Sequence, residues 1–181
     1  MKIKTKDMVI TGLFSALMVV GAYIKIFLPV VPFSLQPFFC TLAGILLGSR
    51  LGALSQIIYA VLGLAGLPVF TQGGGLMYIF KPSFGYILGF IAGAYIIGKI
   101  SELLNTHNFR NTLISIMSGL VAIYAIGIPY VYFISKFYLK NTDITFMYAI
   151  TTGLMPFIIK DAILCTVAAI IATKVIPSIR R

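Results

Sequence analysis

Apolar residues run through this chain in long blocks, separated by short polar or Pro/Gly-rich stretches, with no sustained alternation of the kind a half-buried strand shows. The blocks fall at about 8–28, 35–48, 51–67, 82–100 and 112–137, and a sixth region covers 146–176. A helix that crosses hydrocarbon takes roughly 20 apolar residues. The pattern therefore predicts an all-α integral membrane protein, a bundle of six transmembrane helices in a single domain over residues 1–181. Pro29 and Pro32 close the first block, and Pro82 suits the first turn of the fourth helix. Pro156 divides the sixth region. A helix over 156–176 is about 31 Å long at the α-helical rise, enough to cross, which leaves 146–155 as a half-inserted or interfacial piece.

Composition sharpens this picture. Of 181 residues 60% are hydrophobic and only 10% charged, where a soluble domain carries about 25% charged. The net charge of +10 does not point to nucleic acid, because the basic residues are scattered and most sit at the ends of apolar blocks. With six crossings, one side carries Lys2, Lys4, Lys6, Arg50, Lys99, Arg110, Lys174, Arg180 and Arg181, and the other carries Lys25, Lys81, Lys136 and Lys140. The positive-inside rule puts both termini in the cytoplasm of a multi-pass protein of the cytoplasmic membrane. The start resembles a signal peptide but lacks a clear small-x-small cleavage site, so it is read as a retained first helix. On this orientation the stretches 29–36, 66–82 and 138–145 face outward, either as ordinary turns or as a lid over an outward-facing pocket.

Lys160 and Asp161 are adjacent in an otherwise almost wholly apolar stretch, 155–171. Charges at that depth cost a few kcal/mol each by insertion scales, so they mark a partnered, interior position. Neighbours on a helix point about 100° apart, so the two side chains need not meet. They serve either a polar ligand or a charge pair bridging helices. A proton relay fits less well, since Asp7, Glu102 and Asp143 lie at block ends or in loops.

Other signals are weak or misleading. Gly93 to Lys99 imitates a phosphate-binding loop, but Ile100 replaces the Ser or Thr and no strand precedes it. If transport uses ATP, a partner must supply it. Cys40 and Cys165 read as small buried residues, and His107 alone makes no metal site, so no metal or resident cofactor is expected. Neither an acidic cluster nor an intramembrane Ser–His pair is present, which argues against an enzyme. Small residues four apart, Gly85/Gly89/Gly93, Gly44/Gly48 and Gly12/Ala16, allow close helix packing in lipid, within the chain or against another subunit.

Several stretches in order resemble one family. They are Val31-Pro-Phe-Ser-Leu-Gln36-Pro, the Gly48-Ser-Arg50-Leu-Gly turn, Gly63-Leu-Ala-Gly-Leu-Pro with the glycine run, Phe84-Gly-Tyr86-Ile-Leu-Gly, and Pro156-Phe-Ile-Ile-Lys160-Asp161. Together they are similar to the BioY family, the biotin-specific S components of energy-coupling-factor (ECF) transporters. The resemblance implies outward-facing biotin capture and partnership with a transmembrane coupling subunit and two ATPase subunits. It also implies delivery by toppling of the docked S component in the membrane. It makes Asp161 the acceptor for ureido N–H groups. Family members often carry a Lys three residues after this Asp, and here Leu164 stands there, with Lys160 before the Asp. Lys160 is then a candidate for the biotin carboxylate. Gln36 suits a polar end of the ligand, Tyr86 and Phe33 can wall the ring system, Gly75 can let backbone approach, and Tyr124 or Tyr130 can contribute from the fifth helix. Gly12 and Ala16 are the expected face for the coupling subunit. A stand-alone small transporter for another vitamin or carboxylate remains the alternative, and a membrane enzyme or assembly factor is a third reading.

Overall fold

The computed structural model describes residues 4–26, 28, 30–104, 108–139 and 145–179; Lys2, Pro29, His107, Lys140, Asp143, Arg180 and Arg181 lie outside the described residues. The described residues are mainly helical. Its elements are α1 (Thr5–Tyr23), a two-stranded hairpin of β1 (Lys25–Ile26) and β2 (Phe33–Ser34), α2 (Gln36–Leu64), a 3₁₀ helix (Leu76–Phe80), α3 (Phe84–Leu104), α4 (Phe109–Phe133) running into a π turn (Ile134–Tyr138), α5 (Phe146–Gly153) and α6 (Met155–Ile179). Among the described residues five helices are long and apolar enough to cross a membrane.

The 29 residues of α2 do not form one rod. Gly48 has φ 81° and ψ −179°, a conformation open essentially to glycine alone. The chain folds back there. A Cβ added at Gly52 would lie 3.0 Å from the Ala43 carbonyl oxygen, whereas residues nine apart in a straight helix are about 13 Å apart. The arms 36–47 and 49–64 therefore pack against each other, matching the second and third apolar blocks read from the sequence. The turn is held by α3. Glu102 Oε1 accepts from the backbone N–H and from the hydroxyl of Ser49, both at 2.9 Å.

Glycine contacts explain how helices approach one another where lipid removes any hydrophobic drive to associate. A Cβ at Gly89 would sit 2.8 Å from the Ile123 carbonyl oxygen, and at Gly44 2.8 Å from that of Ala94. The repeats in α2 and α3 thus seat α3 between α2 and α4. Gly12 behaves differently. A Cβ there would meet nothing within 4 Å, and Gly12 and Ala16 are both exposed on α1. Gly93 to Lys99 lies inside continuous α3, not in a loop.

Several boundaries differ from the sequence expectation. The first helix ends at Tyr23, and the residues after it turn into the β hairpin, with Lys25 opposite Ser34 and Ile26 opposite Phe33. Pro82 lies two residues before α3 and not in its first turn. The long region at the end divides as expected: Leu154 N–H closes α5 on the Ile150 carbonyl at 2.9 Å, and Pro156, which has no N–H to continue that ladder, falls in the first turn of α6.

Candidate functional site

A cavity partly open to the exterior lies at the end of the bundle that carries the β hairpin and the 66–83 segment. Its walls are largely apolar, with Val31, Ile87, Phe90, Ile123 and Phe157 among the lining, and polar groups enter at three places. This is the character of small-molecule sites, a mainly apolar hollow with a few placed polar groups.

The first polar place is Asp161, 2% exposed, in the second turn of α6. The Tyr124 hydroxyl, from α4, donates to its Oδ2 at 2.5 Å. Lys160 Nζ stands 2.7 Å from Oδ1. That ion pair lacks standard hydrogen-bond geometry, so Oδ1 is met by a cation at contact distance but not by an aligned donor among the described residues. The adjacent side chains do meet, which their angular separation alone does not require. Lys160 also donates to the Ser34 carbonyl at 2.8 Å and lies 4.2 Å from the centre of the Phe33 ring. One ammonium thus ties α6 to β2. A cation over an aromatic face and in contact with a carboxylate keeps its charge balanced at membrane depth. Phe33 stacks on Phe157 at 6.1 Å and backs this cluster without lining the cavity.

The second place is Gln36, 4% exposed at the start of α2. Its Oε1 accepts from Ser34 Oγ at 3.1 Å, and its Nε2 donates to the Tyr59 hydroxyl at 2.7 Å, which donates on to the Val69 carbonyl at 3.1 Å. The amide is therefore fixed in orientation by α2 and the following loop.

The third place is a row of hydroxyls. Thr71 Oγ1 and Tyr78 Oη are 3.0 Å apart, and Tyr78 Oη and Ser83 Oγ 3.1 Å. All three line the cavity and are at most 6% exposed. The 66–83 segment that carries them is tied down from several sides. Tyr23 donates to the Pro68 carbonyl at 2.7 Å, Lys25 donates to that of Thr71, and Tyr130 donates to that of Ile79 at 2.5 Å.

Of the residues expected from sequence, Asp161, Gln36, Tyr86 and Tyr124 line this one cavity. Tyr86 and Tyr124 meet edge to face at 6.2 Å, and the Tyr86 hydroxyl donates to the Gly153 carbonyl at 2.7 Å, fastening α3 to the α5–α6 junction. Lys160 and Phe33 sit directly behind the lining. Gly75 is not brought to the cavity. It caps the 3₁₀ helix with φ 97°, and its N–H donates to the Gly63 carbonyl at 2.7 Å, so the glycine serves the loop's own turn. Tyr130 likewise anchors the loop and does not line the cavity. Thr71, Tyr78 and Ser83 were not anticipated. They come from the 66–83 stretch, which the sequence reads either as ordinary turns or as a lid over an outward-facing pocket, with no side chain in it singled out except Gly75.

A profile described as the BioY family matches residues 1–181. The chain is 40% identical over 170 residues to a probable biotin transporter BioY of Lysinibacillus sphaericus, covering 94% of this chain and 86% of that protein. It is also 40% identical over 170 residues to the biotin transporter BioY of Thermotoga maritima, covering 93% of this chain and 95% of that one. The fold matches the crystal structure of an S component for biotin from an ECF-type ABC transporter with a TM-score of 0.72 at 24% identity, over 94% of this chain and 90% of the other.

Proposed function

The chain belongs to the BioY family, and from that premise we propose that it captures biotin at the outer face of the cytoplasmic membrane as the S component of an ECF transporter. It is a transporter subunit and not an enzyme. Counting the two arms of α2 separately, and the α5–α6 pair as one, gives six membrane-crossing units, for which the proposed orientation has both termini in the cytoplasm. The cavity end, with its β hairpin and 66–83 segment, then faces outward, which agrees with the basic residues being fewer on that side.

One observation carries the reading. Asp161 Oδ1 is a buried carboxylate oxygen in the wall of an apolar cavity, ion-paired with Lys160 Nζ at 2.7 Å but in no hydrogen bond of standard geometry among the described residues. The ureido ring of biotin brings N–H donors on an otherwise apolar bicycle. A charge-assisted hydrogen bond is worth about 1.5–3 kcal/mol, and a ligand lacking the donor would strand the carboxylate. Tyr124 holds the acid in place, Lys160 balances its charge, Gln36 supplies a second fixed polar group, and Tyr86 with Phe90 walls the rings.

The cavity accounts for capture and not for energy. ATP hydrolysis and the coupling subunit belong to partners, and the exposed Gly12–Ala16 face of α1, where a Cβ at Gly12 meets nothing, is the docking surface assigned to the coupling subunit. Asp161→Asn tests the site. Biotin titrated into the detergent-solubilised variant is expected to bind about tenfold or more weakly than to the wild type; equal affinity with an intact fold would remove Asp161 from the site.

A further inference from the structure

Resting on the orientation proposed above, which puts this end of the bundle in the cytoplasm, we propose that the open pocket between the Gly48 turn of α2 and the end of α3 holds the phosphate of an anionic phospholipid from the inner leaflet. The pocket shares no residue with the cavity that holds Asp161, so the lipid site is independent of the solute that cavity takes.

Tyr95, Lys99 and Glu102 follow one another at spacings of four and three, so they share one face of α3. All three are exposed and line the pocket. The same face continues toward the bilayer centre through Ala92 and the exposed Leu88. Lys99 lies about 6 Å beyond Tyr95 along the helix axis. A tyrosine and then a cation is the order of groups a helix presents as it leaves hydrocarbon for the headgroup layer. Across the pocket, the turn after Gly48 supplies Arg50, also exposed, with Leu47 and Leu51 as an apolar wall.

Two cations and one acid face this pocket, and the acid is committed elsewhere. Glu102 Oε1 accepts from the N–H and the hydroxyl of Ser49, both at 2.9 Å. Ser49 opens the second arm of α2, so the carboxylate sits at the positive end of that helix and is offset by it. Arg50 and Lys99 then set the sign of the pocket. Lys99 makes no hydrogen bond or ion pair with any described residue. Arg50 carries five donors in a fork that matches a phosphate, so contacts within the protein leave others for a ligand. A basic pocket between helices on the cytoplasmic side is the setting in which anionic headgroups bind. The apolar wall selects among anions. Free phosphate would use the cations and leave Tyr95 and two leucines against water, whereas a phospholipid covers both with one molecule.

The chain has no tryptophan, so a single introduced one reports on its own surroundings. Tyr95→Trp in phosphatidylcholine vesicles should be quenched about twofold or more strongly by brominated-chain phosphatidylglycerol than by brominated-chain phosphatidylcholine at the same fraction. Adding Lys99→Gln or Arg50→Gln should bring the two lipids level. Ile114→Trp, exposed near the same end of α4 and one turn from Arg110, is the reporter outside the pocket and should show no preference. Equal preference at both reporters would mean diffuse attraction to a basic protein and would overturn the site. If Tyr95→Trp does not fold, the wild type in detergent decides. Its unfolding midpoint should rise with phosphatidylglycerol and not with inorganic phosphate, and Lys99→Gln should remove the rise. An equal rise with inorganic phosphate would overturn the lipid assignment, and so would indifference of the wild type to the lipid. In that last case, loss of energised uptake in Lys99→Gln would give the pocket to an acidic segment of a partner subunit.

Discussion

The two oxygens of Asp161 are in different circumstances, and this asymmetry governs what substitutions there should do. Oδ2 is held by Tyr124 in a hydrogen bond, while Oδ1 is ion-paired with Lys160 without standard hydrogen-bond geometry. Removing Tyr124's hydroxyl frees the carboxylate to rotate, so Tyr124→Phe should weaken biotin binding about fivefold, the value of one ordinary hydrogen bond, as read by titration. Lys160→Met leaves a buried carboxylate without its counter-charge, and loss of one partner from a buried pair costs about 3–5 kcal/mol. Its unfolding midpoint in detergent should fall clearly. The double variant with Asp161→Asn should recover part of that loss, because the stranded charge is gone; a double variant no more stable than Lys160→Met would show that Lys160 acts by packing on Phe33 alone. At this scale the sequence was most informative where polarity clashed with surroundings. Lys160 and Asp161 stood out because nothing around them is polar. Thr71, Tyr78 and Ser83 did not, since a hydroxyl in a turn is unremarkable until the turn is folded over a cavity.

Among the elements, α2 depends most on one residue. Gly48 turns back the two arms that the sequence reads as its second and third helices, and its backbone conformation is costly for any side chain, about 1–3 kcal/mol. A Cβ there would also lie 2.9 Å from Glu102 Oε1, which holds the turn through Ser49. Gly48→Ala should therefore lower the unfolding midpoint, whereas Gly12→Ala, in open space on α1, should leave it unchanged. Matched midpoints for both would show that the hairpin is not held at Gly48. Helix existence was legible because a membrane core demands long apolar runs, and Pro156 marked the start of α6 through its missing N–H. The 23–36 connection was less so. A two-residue ladder between Lys25–Ile26 and Phe33–Ser34 is too short to leave a period-two pattern, and the apolar run continues past Tyr23 although the helix does not. The 3₁₀ helix Leu76–Phe80 was hidden for a similar reason, being set by a glycine turn at Gly75 and by Tyr130 gripping Ile79.

For the molecule as a whole, the glycines divide labour. Gly44 of α2 and Gly85, Gly89, Gly93 and Gly98 of α3 are met by neighbouring helices, and the Gly12–Ala16 step is left open. Gly12→Trp should accordingly keep biotin affinity within about twofold and abolish ATP-dependent uptake in vesicles that contain the coupling and ATPase subunits, since only close helix approach is lost. Normal uptake by this variant would place the docking surface elsewhere. The family and the general character of the pocket could be read from ordered short motifs along the chain, but the pocket's composition could not, because it joins the β hairpin, the start of α2, the 66–83 segment, α3, α4 and α6. Biotin capture is the central claim. Calorimetric titration of biotin into the purified, detergent-solubilised wild-type chain should give tight binding at one site per chain. A well-folded chain that releases no heat with biotin and shows no change in unfolding midpoint in its presence would contradict it.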